Sequence, residues 1–314
     1  MDVIVTGGTG FIGQYLVKRL EHDGIKFISL GRTDGDIAKK ETWKQLPPTQ
    51  SVIHLAGRCY VPDSWENTGD FIETNILGTF ILLKSSLNYY NNLNQKEKNK
   101  FKFLHISTDE VYGSLELTGK FKETTAYNPS SPYSASKAAS DHLVKSWFHT
   151  FGLPILITNC SNNYGPYQFP EKLIPLIITN CLESKPLPIY GTGSNIRDWI
   201  YVDDHCNAIY KILKDGKLGE TYNIGGNQEI TNLEIVEKIC NILDKINPST
   251  NLNKHTHKNP RENWKMMLEL PEPLVTPRQR IAIQEYLNTK KNSAEETTAY
   301  TKLRNMFDLP PHVL

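Results

Sequence analysis

The feature that most constrains the fold of this chain is a glycine-rich stretch close to its first residue. A short β-branched run, Val3-Ile-Val5, leads into Gly7, Gly10 and Gly13, and residues 14–22 then have the apolar spacing of a helix. Strand, glycine turn and helix in this order indicate a dinucleotide site. Small residues let the backbone approach a pyrophosphate, and the helix N-terminus offers it unpaired N–H groups. A strand-to-helix turn without a ligand is the less favoured alternative.

Short apolar runs alternate with helix-forming stretches through the first half of the chain. The runs occupy residues 26–30, 51–55, 101–106 and 155–158, and the predicted helices occupy residues 70–88 and 134–151. This alternation predicts an α/β fold, a Rossmann-type doubly wound parallel sheet with helices on both faces. Prolines become frequent after about residue 165. We therefore expect a dinucleotide-binding domain at 1–165 and a smaller C-terminal substrate-binding lobe at 166–314, from which some segments return to the sheet. One further helix is expected at 277–289.

The composition excludes several classes of partner. Lys and Arg number 35 against 34 Asp and Glu, and this net charge of +1 favours neither nucleic acid nor an anionic membrane surface. The five cysteines include no CxxC pair, so we expect no disulfide framework, no metal site and a reducing compartment. No basic leader precedes the first strand and no long apolar run occurs, so a cytoplasmic protein is expected.

The end of the second predicted strand bears on which dinucleotide binds. NAD sites usually carry Asp or Glu there for the ribose hydroxyls, whereas an Arg accommodates the 2′-phosphate of NADP. Here the strand ends in Leu30-Gly31-Arg32, and Arg32 can neutralise a phosphate or stack on adenine. Asp36 and Ile37 are candidates for contact with the adenine edge, or they form a solvated turn. NAD and NADP are both open on this pattern.

Tyr133 and Lys137 form the first candidate catalytic pair. They lie four residues apart in a helix predicted to begin near Pro132, and so they share one helical face. The ammonium can then stabilise the phenolate, lower the tyrosine pKa toward neutrality and turn the phenol into a base. A chance pair on an exposed helix is the alternative, because this spacing is common.

Two adjacent carboxylates are the second candidate for chemistry. Asp109 and Glu110 belong to Ser107-Thr-Asp-Glu-Val-Tyr-Gly113, directly after the strand that ends at Ile106. Ligands of an open parallel sheet bind at the carboxyl ends of its strands, where two acids are hard to explain structurally. As the alternative, Asp109 caps the next turn and Glu110 is solvated. The glycine turn and the tyrosine–lysine pair in the same chain favour catalysis.

Long ordered segments of this chain resemble one family. They are residues 107–113, 133–142, 159–167, 171–175, 187–191 and 195–202. Over about residues 1–240 the chain resembles the extended short-chain dehydrogenases/reductases of the sugar-nucleotide class, specifically the nucleoside-diphosphate-glucose 4,6-dehydratases. The Thr108-Asp-Glu110 triplet separates these dehydratases from the epimerases that lack both acids.

The resemblance implies conversion of an NDP-hexose, dTDP- or UDP-glucose, to its 4-keto-6-deoxy sugar by hydride transfer to and from a bound nicotinamide cofactor. Tyr133, helped by Lys137, would remove the sugar O4 proton while Thr108 bonds O4. Glu110 would take the C5 proton, and protonated Asp109 would deliver a proton to the departing C6 hydroxyl. Neighbouring carboxylates suit these opposite protonation states, because repulsion and differing burial separate their pKa values.

The resemblance also implies two sets of binding residues and a homodimer formed through the helices at 70–88 and 134–151. Besides the three glycines, the residues that would line NAD are Phe11, Ile12, Leu55, Ala56, Thr74, Tyr133, Lys137 and Asn163. Those that would hold the nucleotide sugar are Asn162, Lys172, Leu173, Pro188, Tyr190, Arg197 and Asn223. Lys172 and Arg197 supply the positive charge that a diphosphate requires, the alternative being ordinary surface ion pairs.

The chain also departs from the family at several places. Gly31 stands where an acidic residue is usual, Cys59 stands where a small hydroxyl residue is usual, and the excursion over residues 33–36 is short. The family's nucleotide-binding stretch Asp-Arg-Pro-Gly-His has only a distant counterpart at residues 259–263, and the tail diverges from about residue 250.

Two alternatives therefore stay open. One is a related epimerase, decarboxylase or 4-ketoreductase that uses only Thr108, Tyr133 and Lys137. The other is a non-catalytic protein that binds a cofactor or a sugar nucleotide.

Overall fold

A computed structural model describes residues 2–44, 46–115, 119–183, 185–189 and 192–246 of the chain. The helix expected at 277–289, the segment 259–263 and Tyr190 lie outside the described residues. Within those residues the chain forms two compact units, one of residues up to 163 together with 202–225, the other of residues 164–201 and from 226 onward. The domain boundaries expected from the sequence stay predictions.

The strands of the described residues form a six-stranded and a three-stranded sheet. In chain order they are β1 (Val3–Thr6), β2 (Phe27–Leu30), β3 (Ser51–His54), β4 (Lys102–Thr108), β5 (Ile155–Cys160), β6 (Asn162–Tyr164), β7 (Ile196–Tyr201), β8 (Thr221–Ile224) and β9 (Glu229–Thr231). The larger sheet has the order β2-β1-β3-β4-β5-β8 and all its neighbouring pairs are parallel. Strand β2 lies on one side of β1 and strand β3 on the other, so the topological switch point lies beside β1.

The helices of the described residues connect these strands. In chain order they are α1 (Phe11–His22), α2 (Val61–Glu66), α3 (Thr68–Phe71), α4 (Gly78–Asn91), α5 (Gln95–Lys98), α6 (Pro132–Phe151), α7 (Leu173–Leu182), α8 (Val202–Asp215) and α9 (Asn232–Ile246). A π-helix, Ile72–Leu77, joins α3 to α4, and 3-10 turns lie at Arg32–Asp34, Lys40–Trp43 and Asp109–Tyr112.

Helices cover both faces of the six-stranded sheet. On one face α4 and α6 pack together, and Leu82 and Val144 join a buried core with Phe103 and Ile155 of the strands. On the other face α1 packs on α8. The chain directly after α8 lies against Leu156, whose side chain points away from that of its neighbour Ile155. The predicted doubly wound parallel sheet is confirmed.

Two elements differ from the expectations. The helix expected at 70–88 is interrupted by the π-helix, where the buried Asn75 amide accepts from Arg58 N at 2.8 Å and donates to Ser136 Oγ at 2.8 Å. A polar side chain that must reach two other segments distorts the helix locally, which apolar spacing does not reveal. Strand β8 was not predicted, because the polar Asn223 divides a run of only four residues.

The second unit has its own apolar core between α7 and α9. Ile177 of α7 and Ile239 of α9 are both buried in it. Cys181 and Cys240 also meet there, with their sulfur atoms 3.8 Å apart. Strands β7 and β9, which both belong to this unit, are antiparallel.

Replacing Gly13 by Ala tests how tightly α1 packs on the turn that precedes it. A Cβ at Gly13 would lie 2.2 Å from the oxygen of Gly7 and 2.7 Å from the Cα of Gly8, so the backbone must move. Overpacking of this kind costs about 1–3 kcal/mol, and we expect a lower urea midpoint. The matched control is Gly69→Ala, where a Cβ has open space and the midpoint should be kept. Equal midpoints for the two variants would contradict the packing described.

Candidate active site

The glycine turn after β1 lies at the switch point of the sheet. Gly7 has a φ of +74°, and a Cβ there would be 2.7 Å from the nitrogen of Ala56, in the segment after β3. Gly10 is the N-cap of α1 and provides no side-chain cap to the first turn. Only glycine therefore lets the turn pack against the segment after β3, and the N–H groups at the start of α1 have no side-chain cap. That cradle fits the pyrophosphate of a dinucleotide.

Further residues expected at the cofactor lie in the same unit. Phe11 and Ile12 open α1, Leu55 and Ala56 follow β3, and Thr74 lies in the π-helix, half-buried.

The segment after β2 is more ordered than a solvated turn. Asp36 Oδ1 accepts from Ala38 N at 2.9 Å, and the Ile37 oxygen accepts from Trp43 Nε1 at 3.0 Å. Arg32 is exposed, as binding of a cofactor phosphate or of adenine requires. The structure adds Asp34, whose Oδ2 accepts from Gly31 N at 2.7 Å. The sequence analysis did not predict this contact, because it considered only the residues at the strand end. The spacing of Gly31 and Asp34, three residues apart, is that of a capping interaction.

Helix α6 brings Tyr133 and Lys137 to the end of β4. Ser131 caps the helix by accepting from Ser134 N at 3.1 Å, which places Tyr133 in the first turn. The Thr108 side chain lies close enough to the Tyr133 hydroxyl to lower the pKa of the phenol. Lys137 Nζ donates to the oxygen of Ile106 at 2.7 Å, and both Tyr133 and Lys137 are buried. The tyrosine, the lysine and the threonine predicted from the sequence are therefore brought together.

The pKa of Tyr133 moves in the direction opposite to the expectation. Burial raises the pKa of Tyr133 well above its ordinary value, the nearby Glu110 carboxylate raises it further, and the Thr108 side chain opposes the rise. Burial likewise lowers the pKa of Lys137. The spacing argument considered the attraction between ammonium and phenolate but left out burial, which disfavours both charged forms. Tyr133 is therefore protonated at neutral pH in this structure.

Asp109 and Glu110 form the first turn after β4. Thr108 Oγ1 accepts from Glu110 N at 3.3 Å and donates to Asp109 Oδ1 at 3.4 Å. Asp109 is half-buried, whereas Glu110 is exposed. The charge of Glu110 acts on Tyr133 and that of Asp109 acts on the thiol of Cys160. The two carboxylates thus have different surroundings, a condition under which neighbouring acids hold different protonation states.

Asn163 is held by a histidine that sequence reasoning missed. Its Oδ1 is 2.7 Å from His205 Nδ1, and its Nδ2 donates to the oxygen of Ser161 at 3.0 Å. Burial lowers the pKa of His205 to about 3, so the ring is neutral and Nδ1 is the donor. An isolated histidine in the amphipathic helix α8 gives no sequence signal for this partnership.

Two residues expected at the substrate lie in the first unit. Asn223 Oδ1 accepts from Tyr112 Oη at 2.8 Å, and its Nδ2 donates to the oxygen of Phe121 at 3.4 Å, so the amide orders the chain around it. Asn162 is half-buried in β6.

The other expected substrate residues lie in the second unit, with Tyr190 outside the described residues. Lys172 is the N-cap of α7, and Leu173 packs against the core of that unit. Pro188 is half-buried, whereas Arg197 is exposed on β7 and donates from Nη1 to the oxygen of Ile196 at 2.8 Å. The roles expected for these residues stay predictions.

The sequence profile of the NAD dependent epimerase/dehydratase family matches residues 3–225. The chain belongs to this family. It is 47% identical over 283 residues to the dTDP-glucose 4,6-dehydratase 1 of Escherichia coli K12, a match that covers 79% of this chain and 78% of the relative.

The chain is also similar to solved structures of such enzymes. The dTDP-glucose 4,6-dehydratase of Bacillus anthracis in complex with NAD is 40% identical with a TM-score of 0.69, covering 77% of this chain and 81% of that one. The dTDP-glucose 4,6-dehydratase of Streptomyces venezuelae, with NAD bound, is 37% identical with a TM-score of 0.71 and the same coverage of each chain.

The residues that the structure describes hold neither a membrane-spanning helix nor a metal-binding cluster. None of the helices there combines the length and the apolar character needed to span a bilayer. The same part of the chain holds no group of three or more His, Cys, Asp or Glu side chains arranged to bind a metal ion.

Proposed function

We propose that this chain is an NAD-dependent dTDP-glucose 4,6-dehydratase, which converts dTDP-glucose to its 4-keto-6-deoxy derivative. The observation that carries the proposal is the end of β4, where Thr108, Asp109 and Glu110 stand beside the buried Tyr133. An epimerase or ketoreductase needs the tyrosine and the threonine but has no use for two adjacent acids. Elimination of water requires both a base at C5 and an acid at the C6 hydroxyl.

The side chains divide the proton transfers among them. Tyr133 accepts the O4 proton as its phenolate, a form that the positive charge of bound NAD would favour over the neutral phenol of this structure, and Thr108, which lies beside the phenol, would bond O4. A ketone at C4 acidifies the C5–H bond, and the exposed Glu110 carboxylate takes that proton. The half-buried Asp109 is the proposed acid that delivers a proton to the departing C6 hydroxyl.

The cofactor of the proposed enzyme is NAD. When bound, NAD would supply a site that takes up a hydride from the sugar and gives it back within the same turnover. The glycine turn at Gly7 and the N-terminus of α1 would hold its pyrophosphate, and the segment after β3 would lie along it. Arg32 would bind at the adenosine end, and Asn163, fixed by His205, would bind the nicotinamide half.

The diphosphate of the substrate needs positive charge. Lys172 and Arg197 are the proposed partners, and the exposed guanidinium of Arg197 suits bidentate binding of a phosphate. Leu173, Pro188 and Tyr190 would complete the nucleotide-sugar site.

A cytoplasmic homodimer is the proposed assembly. Ile72 and Leu77 of the π-helix and Phe151 at the end of α6 are 52%, 41% and 50% exposed, and they lie on the helices expected at the interface. Covering such side chains is favourable by about 25 cal/mol per Å² of apolar surface. Sedimentation equilibrium should give the mass of two chains for the wild type and of one chain for Ile72→Glu. A wild-type monomer would contradict this assembly.

The two carboxylates can be separated by isotope exchange. With dTDP-glucose in D₂O, Glu110→Gln should lose both water elimination and uptake of deuterium at C5, because the base is absent. Asp109→Asn should keep uptake at C5 but lose elimination, because only the acid is absent. Each loss should be about 10²–10⁴-fold, the usual contribution of one general acid or base. Mass spectrometry and proton NMR measure both events.

The control for this experiment is Glu21→Gln, which removes an exposed carboxylate of α1 and should leave both events unchanged. Full turnover by the double variant Asp109→Asn, Glu110→Gln would instead support the epimerase or ketoreductase alternative. Thermal stabilisation by dTDP-glucose and NAD without any product would support the non-catalytic alternative.

A further inference from the structure

Helix α6 carries a third polar side chain on the face that presents Tyr133 and Lys137. Asp141 lies four residues beyond Lys137, so the three side chains follow one another at single-turn spacing. Asp141 is fully buried, with an exposed fraction of 0%. None of the proton transfers proposed above uses it. Burying a carboxylate costs free energy of desolvation, and Asp141 takes part in no catalytic step. Its position next to the catalytic lysine therefore needs an explanation.

The contacts of Lys137 and Asp141 anchor both side chains to neighbouring residues of one strand. Lys137 Nζ donates to the oxygen of Ile106 at 2.7 Å. Asp141 Oδ2 accepts from Ser107 Oγ at 2.9 Å and from Tyr127 Oη at 3.0 Å. Successive turns of α6 are thereby fixed to successive residues of β4, which restricts where the lysine ammonium can lie.

The charged and titratable groups around Asp141 leave Lys137 as its main counter-charge. These groups are Lys137 and Lys145 of α6, His105 of β4, with Nε2 at 3.3 Å from Asp141 Oδ1, His54 of β3 beside His105, and the phenols of Tyr112 and Tyr127. Burial lowers the pKa values of His54 and His105 well below the ordinary range of histidine, so both rings are neutral. Among the charges that lower the pKa of Asp141, that of Lys137 has the larger effect and that of Lys145 the smaller.

We propose that Asp141 is the positioning residue for Lys137. Its buried carboxylate lies one helical turn beyond the lysine on the same face of α6 and keeps the ammonium charged where the oxygen of Ile106 holds it, so that Asp141 sets the pH range over which the tyrosine works. This inference rests on the proposed function for its catalytic consequence, whereas the electrostatic coupling of the two side chains would exist in the folded chain whatever reaction it catalyses.

The electrostatic balance gives the direction of the effects. Burial raises the pKa of Asp141 to about 6, and Lys137 opposes that rise. Burial lowers the pKa of Lys137, and Asp141 opposes that fall. Loss of Asp141 therefore lowers the lysine pKa further, and loss of Lys137 raises the aspartate pKa further.

The pH profile of Asp141→Asn tests the catalytic half of the proposal. Asparagine keeps the shape of the side chain and an oxygen that can accept from Ser107 and Tyr127, but it removes the charge. The alkaline limb of kcat/KM for dTDP-glucose should move to lower pH by about one unit or more, because an opposite charge that opposes the fall of the lysine pKa is lost. The matched control is Tyr127→Phe, which removes a hydrogen bond to Asp141 but keeps the charge, and its limb should stay in place. An unmoved limb in Asp141→Asn would overturn the proposal.

A second measurement needs no activity. Urea unfolding of wild type, Asp141→Asn, Lys137→Met and the double variant forms a cycle that isolates the coupling between the two side chains. In the Lys137→Met background, Asp141→Asn should raise the urea midpoint more, or lower it less, than it does in the wild type. The reason is that in this background the substitution removes a buried carboxylate that has lost its main counter-charge. Equal midpoint shifts in both backgrounds would mean that Asp141 acts only through packing, and would overturn the pairing.

The pH dependence of Lys137→Met alone covers the case in which Asp141→Asn does not fold. The folded-state pKa of Asp141 lies above its ordinary 3.8, so its ionisation costs stability as pH rises through about 6. Without Lys137 that cost is larger, and the stability gap between wild type and Lys137→Met should widen above about pH 6. A constant gap would overturn the pairing. A wild type that shows the pairing but forms no product from dTDP-glucose would contradict the proposed function only.

Discussion

The arrangement of the site depends on how α6 is held against β4. The lysine ammonium bonds the oxygen of Ile106, and the Asp141 carboxylate accepts from the hydroxyl of Ser107. Both contacts are buried, where an unpaired polar group is costly, so sliding the helix along the strand would break them at a high cost. The next residue of β4 is Thr108, and the first turn of α6 holds Tyr133. The register of helix on strand is therefore what brings phenol and threonine hydroxyl together.

The same strand end also fixes the two acids. Thr108 is buried at the last position of β4, and its hydroxyl caps the turn that holds Asp109 and Glu110. On the other side of β3, the glycine turn at Gly7 packs on the backbone at Ala56. The two clusters lie at the carboxyl ends of the parallel strands β1 and β4, with β3 between them, where an open sheet leaves space for ligands. One edge of the sheet thus carries the dinucleotide cradle and the proton-transfer groups.

Much of this could be predicted because its signals are local. The glycine spacing around Gly10 and the Ser131-Pro132 start of α6 are features of a few consecutive residues, and both were placed correctly. The partners that could not be predicted are those set by tertiary contact. The bonds of Asn75 to Arg58 and Ser136 and of Asn163 to His205 join segments far apart in sequence. The raised pKa of Tyr133 belongs to the same group, because burial depends on the whole fold.

The most direct test of the account follows one hydrogen atom through the reaction. The wild-type protein is incubated with NAD and dTDP-glucose deuterated at C4, and the product is examined by mass spectrometry and NMR. The account predicts a product that is one water lighter, has a ketone at C4 and carries the deuterium at C6. A product with a C4 ketone but no deuterium at C6, or an epimerised sugar that has lost no water, would contradict the assignment of this site as that of a 4,6-dehydratase.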